Sequence, residues 1–309
     1  MMGIWNAHTS VGNILGSIIP GAVISYGWGW SFIVPGAIIA FLGILVFFTL
    51  VEFPEDLDLP TPEEVDNQEK GESTRLLDVA QPAQKVVHRP IKFLDALRIP
   101  GVVEFALSLF FCKLVAYTFL FWLPFYIKHN PVGGRSLSSE ESAYLSTLFD
   151  AGGILGGTLA GYVSDLSRKP AVVSFVYLII SVPILLVYSW FGADSYGLTV
   201  GLLLLCGFFV NGPYALITTA VSADLGTHES LAGNPLALAT VTAIIDGTGS
   251  IGAALGPYLA GAMPKWTEVF YMLMGSLGAA AVLLVPTIVR EVRESRRQRT
   301  QHVFIVNQA

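Results

Sequence analysis

Eight runs of about 20 mostly apolar residues constrain this chain more than any other feature, near 4–26, 31–52, 101–127, 143–163, 171–191, 197–221, 237–262 and 268–290. A hydrocarbon core about 30 Å thick is crossed by roughly 20 helical residues rising about 1.5 Å each. Backbone amides cannot stay unpaired in lipid, so each run is expected to be a helix. Composition agrees, because 53% of the chain is hydrophobic and only 13% charged, whereas soluble domains carry about 25% charged residues. The expected fold is therefore all-α, a polytopic membrane protein with eight transmembrane helices. A net charge of −6, with basic residues clustered only in the C-terminal tail, argues against nucleic acid as a partner and leaves the lipid bilayer as the surrounding phase. Cys112 and Cys206 both lie inside apolar runs, so neither a disulfide framework nor a metal site is legible. No Ser/His/Asp order, metal-ligand spacing or paired catalytic acids emerges, and the chain reads as neither an enzyme nor a cofactor carrier. Its polar-spotted start (Asn6, His8, Thr9, Ser10, Asn13) is unlike a cleavable signal peptide.

Charge orients the spans. One side of the membrane would hold the 53–100 segment, the 164–170 turn, the 222–236 loop and the tail, with thirteen Lys and Arg; the other holds only Lys128, Arg135 and Lys265. The positive-inside bias puts both ends in the cytoplasm. Residues 53–91 are acidic, punctuated by Pro and without a sustained apolar period, the pattern of a flexible linker. That linker, taken as 53–100, separates two spans (1–52) from six (101–290), followed by a basic tail at 291–309.

Ionisable groups inside a span cost at least about 2.5–3.5 kcal/mol at the bilayer centre, so each needs a reason. Lys113 sits about 12 residues from either end of the third span. A buried ammonium there can hold a dianionic phosphate, or it can pair with an intramembrane acid such as Asp150 or Asp246. Those two acids occupy comparable depths on the fourth and seventh spans, each beside glycines, and suit charge coupling: proton relay favours symport, whereas a pair with Lys113 favours phosphate exchange. Asn211, Tyr214 and Thr218 share one stripe of the sixth span and, with Tyr117 of the third, are candidate donors to a sugar. His8 is a further candidate for the binding cavity, its near-neutral titration matching that of a phosphate ester; a helix–helix hydrogen bond is the alternative. Gly12 and Gly16, Gly152 and Gly156, Gly157 and Gly161, and Gly252 and Gly256 fit close helix packing.

The turn Gly161-Tyr-Val-Ser-Asp165-Leu-Ser-Arg168-Lys169 resembles the cytoplasmic loop signature of the major facilitator superfamily, without the Gly that usually precedes the basic pair. An acid at a helix end beside cations makes a breakable cytoplasmic gate from Asp165, Arg168 and Lys169. Three further segments resemble the organophosphate:phosphate antiporters and, within them, the eukaryotic sugar-phosphate exchangers. Trp5-Asn6-Ala7-His8-Thr9-Ser10-Val11-Gly12 is similar to that family's fifth helix. Trp122-Leu-Pro124-Phe-Tyr126 is similar to the end of its seventh, and Asn211–Leu225 with Asp246–Pro257 to its tenth and eleventh. The resemblance implies a major facilitator fold in which residues 1–52 are the last two helices of the N-terminal bundle, 101–290 are a complete C-terminal bundle, and four helices are lacking at the front. It further implies exchange of a phosphorylated small molecule, glucose-6-phosphate or a triose phosphate, for inorganic phosphate by alternating access in the endoplasmic reticulum membrane. Two departures stand out: the family's seventh-helix Arg falls on Ala116 rather than Lys113, and its fifth-helix His falls on Thr9 rather than His8. The competing expectation is a truncated, non-transporting or regulatory product.

Overall fold

The computed structural model describes residues 2–51, 91–222, 225 and 235–306. Linker residues 53–90, Asp224 and most of the 222–236 loop lie outside the described residues.

Nine α-helices are described, which we number in chain order: α1 Met2–Val23, α2 Trp30–Thr49, α3 Phe93–Leu97, α4 Val102–His129, α5 Ser139–Ser167, α6 Pro170–Phe191, α7 Tyr196–Leu216, α8 Pro235–Ala262 and α9 Trp266–Val306. A π-helical turn, Ile217–Val221, extends α7. The isolated bridge between Val132 and Arg135 is the β pairing among the described residues. Seven stretches are long and apolar enough to cross a membrane, one on each long helix except α5. With 29 residues α5 is long enough, but Asp150 and a run of Gly, Ser and Thr lower its apolarity. The chain is a multi-pass integral membrane protein.

Helix ends follow local chemistry. Ser138 accepts from the Glu141 N–H, while the Glu141 carboxylate accepts from the Ser138 N–H, a capping box that starts α5. Arg168 ends α5 at φ 53°, in the left-handed region. Pro170, which needs no N–H partner, then opens α6. The last helix is longer than the expected span: α9 runs on from the apolar stretch through Arg290 and Arg293 to Val306, so the first part of the basic tail is helical.

The core lies among α4 to α9, while α2 has no buried residue. Helix α4 carries apolar residues around its whole circumference, most of them buried in the bundle and Val103, Leu107, Phe121 and Phe125 exposed on one face. Two glycine seams set its surroundings. On α5 and α7, a Cβ at Gly152, Gly156 or Gly207 would collide with the carbonyl groups of Leu204, Phe208 and Phe149. On α8, Gly252 and Gly256 abut the carbonyls of Phe110 and Leu114 in the same way. In lipid, where apolar surface alone gives no preference for helix over solvent, such backbone approach supplies dispersion contact. The Gly12 and Gly16 pair differs from expectation, since nothing lies within 4 Å of a Cβ at either position. An aromatic cluster closes the end of the bundle near α4's C-terminus: Phe119 stacks on Phe149 at 4.8 Å, and Tyr126, Tyr188 and Phe270 pack edge-on around them.

Candidate functional site

Lys113 is 4% exposed, and its ammonium lies 2.6 Å from Asp246 Oδ1 on α8. The register of the two helices explains the meeting. Gly249 faces Leu109 and Lys113, Gly252 faces Phe110, Gly256 faces Leu114 and Thr118, and Gly261 faces Trp122. The helices therefore run parallel and in step. Helical side chains lean toward their own N-terminus, so the Lys113 stem slides back over Gly249 to the level of Asp246, one turn earlier on α8. Gly249 is needed for that path, because a Cβ there would come within 2.9 Å of the Lys113 Cδ. Nothing in the sequence marked Gly249 beyond its place beside Asp246.

The pair is lopsided. The Lys113 side chain is 5% exposed and that of Asp246 44%. A buried cation thus stays compensated by a carboxylate that is itself open to exchange. The ammonium also sits 5.8 Å from the ring centroid of Tyr214, a cation–π distance. Tyr117 is half-buried on the next turn of α4, its ring 6.2 Å from that of Phe121. Of the two partners the sequence allowed for Lys113, the structure selects Asp246.

Asp150 is buried elsewhere and accepts from Asn13 Nδ2 of α1 at 3.0 Å. Contact between Gly21 and Ala143 shows α1 and α5 running antiparallel. Thr9 and Ser10 therefore face Gly153, Ile154 and Gly157, one turn along from the Asn13–Asp150 bond. Between these helices and α7 lies a small cavity, lined by Thr9, Ser10, Gly153, Gly157, Asn211 and Tyr214 among others. Asn211 and Tyr214 were expected to line such a cavity. From α1 it is Thr9 that does so, while His8 is exposed beside it, 3.4 Å from the Thr9 hydroxyl. Thr218, expected on the same stripe, is not among the residues lining this cavity; its hydroxyl is buried in the π-helical turn without a hydrogen-bond partner. A second small cavity, between α4 and α9, is lined by Thr118, Trp122, Tyr126, Trp266 and Phe270 among others and is almost wholly apolar. It lies away from the charged pair and offers no counter-charge to an anion.

Asn13 was legible only as one polar residue in a polar-spotted span. Its importance rests on a partner 137 residues away, and no local period reports such a partner.

At the other end of α5, Asp165, Arg168 and Lys169 lie on the turn into α6, with Asp165 and Arg168 exposed. One acid from outside the motif lies at the start of α6. Glu291 of α9 accepts from the N–H groups of Ala171 and Val172 at 2.9 and 3.3 Å, placing a carboxylate on the positive end of α6. Beside it Arg290 bonds Glu104 of α4.

Comparison with known proteins agrees with this architecture. The Major Facilitator Superfamily model matches residues 1–237 and again 134–307. The chain belongs to the major facilitator superfamily, whose members are membrane transporters and not enzymes. It is 50% identical over 313 residues to a glucose-6-phosphate exchanger, SLC37A2, of Xenopus laevis, covering 95% of this chain and 62% of the relative. The SLC37A2 protein of Mus musculus is also 50% identical, over 94% of this chain and 61% of that protein. A putative glycerol-3-phosphate transporter of Arabidopsis thaliana is 51% identical, over 95% and 58% respectively. The chain thus spans about three fifths of the length of the curated relatives it matches. Among solved structures, a bacterial homologue of the human lysosomal transporter Spinster, inward-facing and unoccupied, superposes with a TM-score of 0.50 at 17% identity, over 91% of this chain and 66% of that one. At that identity the likeness speaks for the fold alone.

Proposed function

We propose that this chain works in a secondary transporter that exchanges a sugar phosphate, with glucose-6-phosphate the first candidate, for inorganic phosphate. The observation that carries the reading is the Lys113–Asp246 pair, a buried ammonium under an accessible carboxylate. An ammonium in a low-dielectric bundle needs an anion at every stage. A phosphate dianion entering from the Asp246 side competes for Lys113, and when it leaves Asp246 closes back. The site is neutralised in turn by cargo or by its own acid, so empty and loaded states both remain stable enough to rock between faces. Similarity to a glucose-6-phosphate exchanger and to a putative glycerol-3-phosphate transporter supports a phosphate ester as cargo.

In this reading residues 1–52 close the N-terminal bundle, 53–100 link the halves on the cytoplasmic side, 101–290 form the C-terminal six-helix bundle with α5 as one of its spans, and 291–309 return to the cytoplasm. Asp165, Arg168 and Lys169 then form a cytoplasmic gate, which Glu291 braces through the α6 N-terminus. The resemblance to the sugar-phosphate exchangers supports the endoplasmic reticulum membrane.

The test is exchange in proteoliposomes. Vesicles loaded with phosphate take up labelled glucose-6-phosphate, phosphate-free vesicles do not, and Lys113→Ala lowers the phosphate-dependent rate at least tenfold, the loss expected when a charge-assisted contact worth about 1.5–3 kcal/mol is removed. Uptake independent of internal phosphate, or unchanged by Lys113→Ala, overturns the reading.

A further inference from the structure

The far end of α9 changes character while the helix itself continues. It runs from Trp266 to Val306, 41 residues, whereas the hydrocarbon of a bilayer takes up about 20. Its apolar part has two sides. Leu277, Ala280 and Leu284 are buried against the bundle, and Glu291 continues that line by accepting from the first N–H groups of α6. Val282, Val285 and Val289 are exposed on the side turned away from the bundle, where lipid tails lie. Steps of three or four residues keep a position on one face of a helix. The series Val282, Val285, Val289 therefore runs on to positions 293 and 296, both Arg, with Arg297 one turn beyond Arg293. Arg293 is exposed. The acids of this stretch, Glu291 and Glu294, fall off the stripe. A lipid-facing row of valines thus turns into a row of arginines where the helix leaves hydrocarbon.

The height of that change is marked independently. Arg290 bonds Glu104 in the first turn of α4. Just ahead of α4 the short α3 exposes Phe93 and Leu94, with Lys92 and Arg98 exposed at its two ends. Apolar side chains beside cations suit a headgroup layer, which takes up both.

We propose that Arg293, Arg296 and Arg297 form a docking surface for anionic phospholipid headgroups in the adjoining leaflet. Guanidinium forks match phosphate oxygens, and each cation near an anionic membrane surface is worth about fivefold in association. Because Arg290 is held by Glu104 of α4 and Glu291 by the start of α6, headgroups that grip the next turn fix the height of α9 against both helices. The surface is independent of the cargo.

The experiment is native mass spectrometry of protein made from its complete coding sequence, titrated in detergent with phosphatidylserine or with phosphatidylcholine. The parent binds phosphatidylserine more tightly than phosphatidylcholine. The triple substitution Arg293→Gln, Arg296→Gln and Arg297→Gln weakens phosphatidylserine binding roughly tenfold or more and leaves phosphatidylcholine binding unchanged. Arg293→Gln alone weakens it about fivefold, and Gln keeps the helix propensity of Arg, so this milder variant guards against misfolding. Lys128→Gln with Lys265→Gln, at the other end of the bundle, leaves both affinities as they were. Equal affinity of the parent for the two lipids, or phosphatidylserine binding untouched in both arginine variants, overturns the surface. An equal loss in the Lys128 and Lys265 control overturns it too, since net charge alone then explains the binding. A dimer of the parent that the triple substitution dissociates, with either lipid, gives this face to a second copy and likewise overturns it.

Discussion

At the residue scale the account turns on a cation that cannot stand alone. Removing Asp246 leaves the Lys113 ammonium buried, with the Tyr214 ring centroid 5.8 Å away. Breaking a buried pair from one side costs about 3–5 kcal/mol. With Asp246 partly open to solvent, the lower end of that range applies to Asp246→Asn. The double substitution Lys113→Met with Asp246→Asn removes the charge as well as its partner. Its thermal midpoint in detergent returns toward that of the parent, while phosphate-dependent uptake stays lost. A double substitution that is no more stable than Asp246→Asn alone contradicts a Coulombic role for the pair. The sequence marked both residues as intramembrane charges needing a reason, since cost in lipid is a property of a single residue. It could not choose between Asp150 and Asp246 as the partner, because that choice depends on register between α4 and α8, set by glycines at 249, 252 and 256. His8 shows the same limit. A one-residue offset rotates a helix face by about 100°, and the structure puts Thr9 rather than His8 at the cavity wall.

At the element scale, helix length and type were readable and helix pairing was not. The spans expected at 171–191 and 237–262 correspond to α6, Pro170–Phe191, and α8, Pro235–Ala262. Apolar run length reports a membrane crossing, but it goes silent where a helix continues into water, and so the extension of α9 to Val306 was hidden. Glycine spacing likewise named candidates without telling seams from open faces. Gly156→Ala forces a methyl against the Phe208 carbonyl, and overpacking of this kind costs about 1–3 kcal/mol. Gly12→Ala meets nothing, and its thermal midpoint stays at or slightly above that of the parent, Ala being the better helix former. Equal shifts for the two variants would contradict the seam. The capping box at the head of α5 provides a pH signature. The Glu141 carboxyl is held below the usual glutamate range, chiefly by the backbone N–H of Ser138 and further by Arg135, 2.5 Å away. A depressed carboxyl stabilises the fold above its unfolded value and ceases to do so as pH falls through the folded one. The first turn of α5 therefore frays only at acid pH, below the ordinary glutamate titration. Hydrogen exchange at the Ser138 and Glu141 amides checks this, and protection that is flat across that range contradicts it.

At the scale of the whole molecule, glycine seams join α4 to α8 and α5 to α7, with the charged pair on the first and the cavity between the second and α1. Tyr214 of α7 reaches across to the Lys113 ammonium of α4. The central claim is competition between Asp246 and cargo for one ammonium. Its most direct measurement is the phosphate affinity of Asp246→Asn against the parent protein by titration calorimetry. With the competing carboxylate gone, phosphate should bind about tenfold tighter, the equivalent of about 1.4 kcal/mol, while exchange slows because nothing closes on Lys113 when phosphate departs. Affinity that is unchanged or weaker in Asp246→Asn would contradict the account.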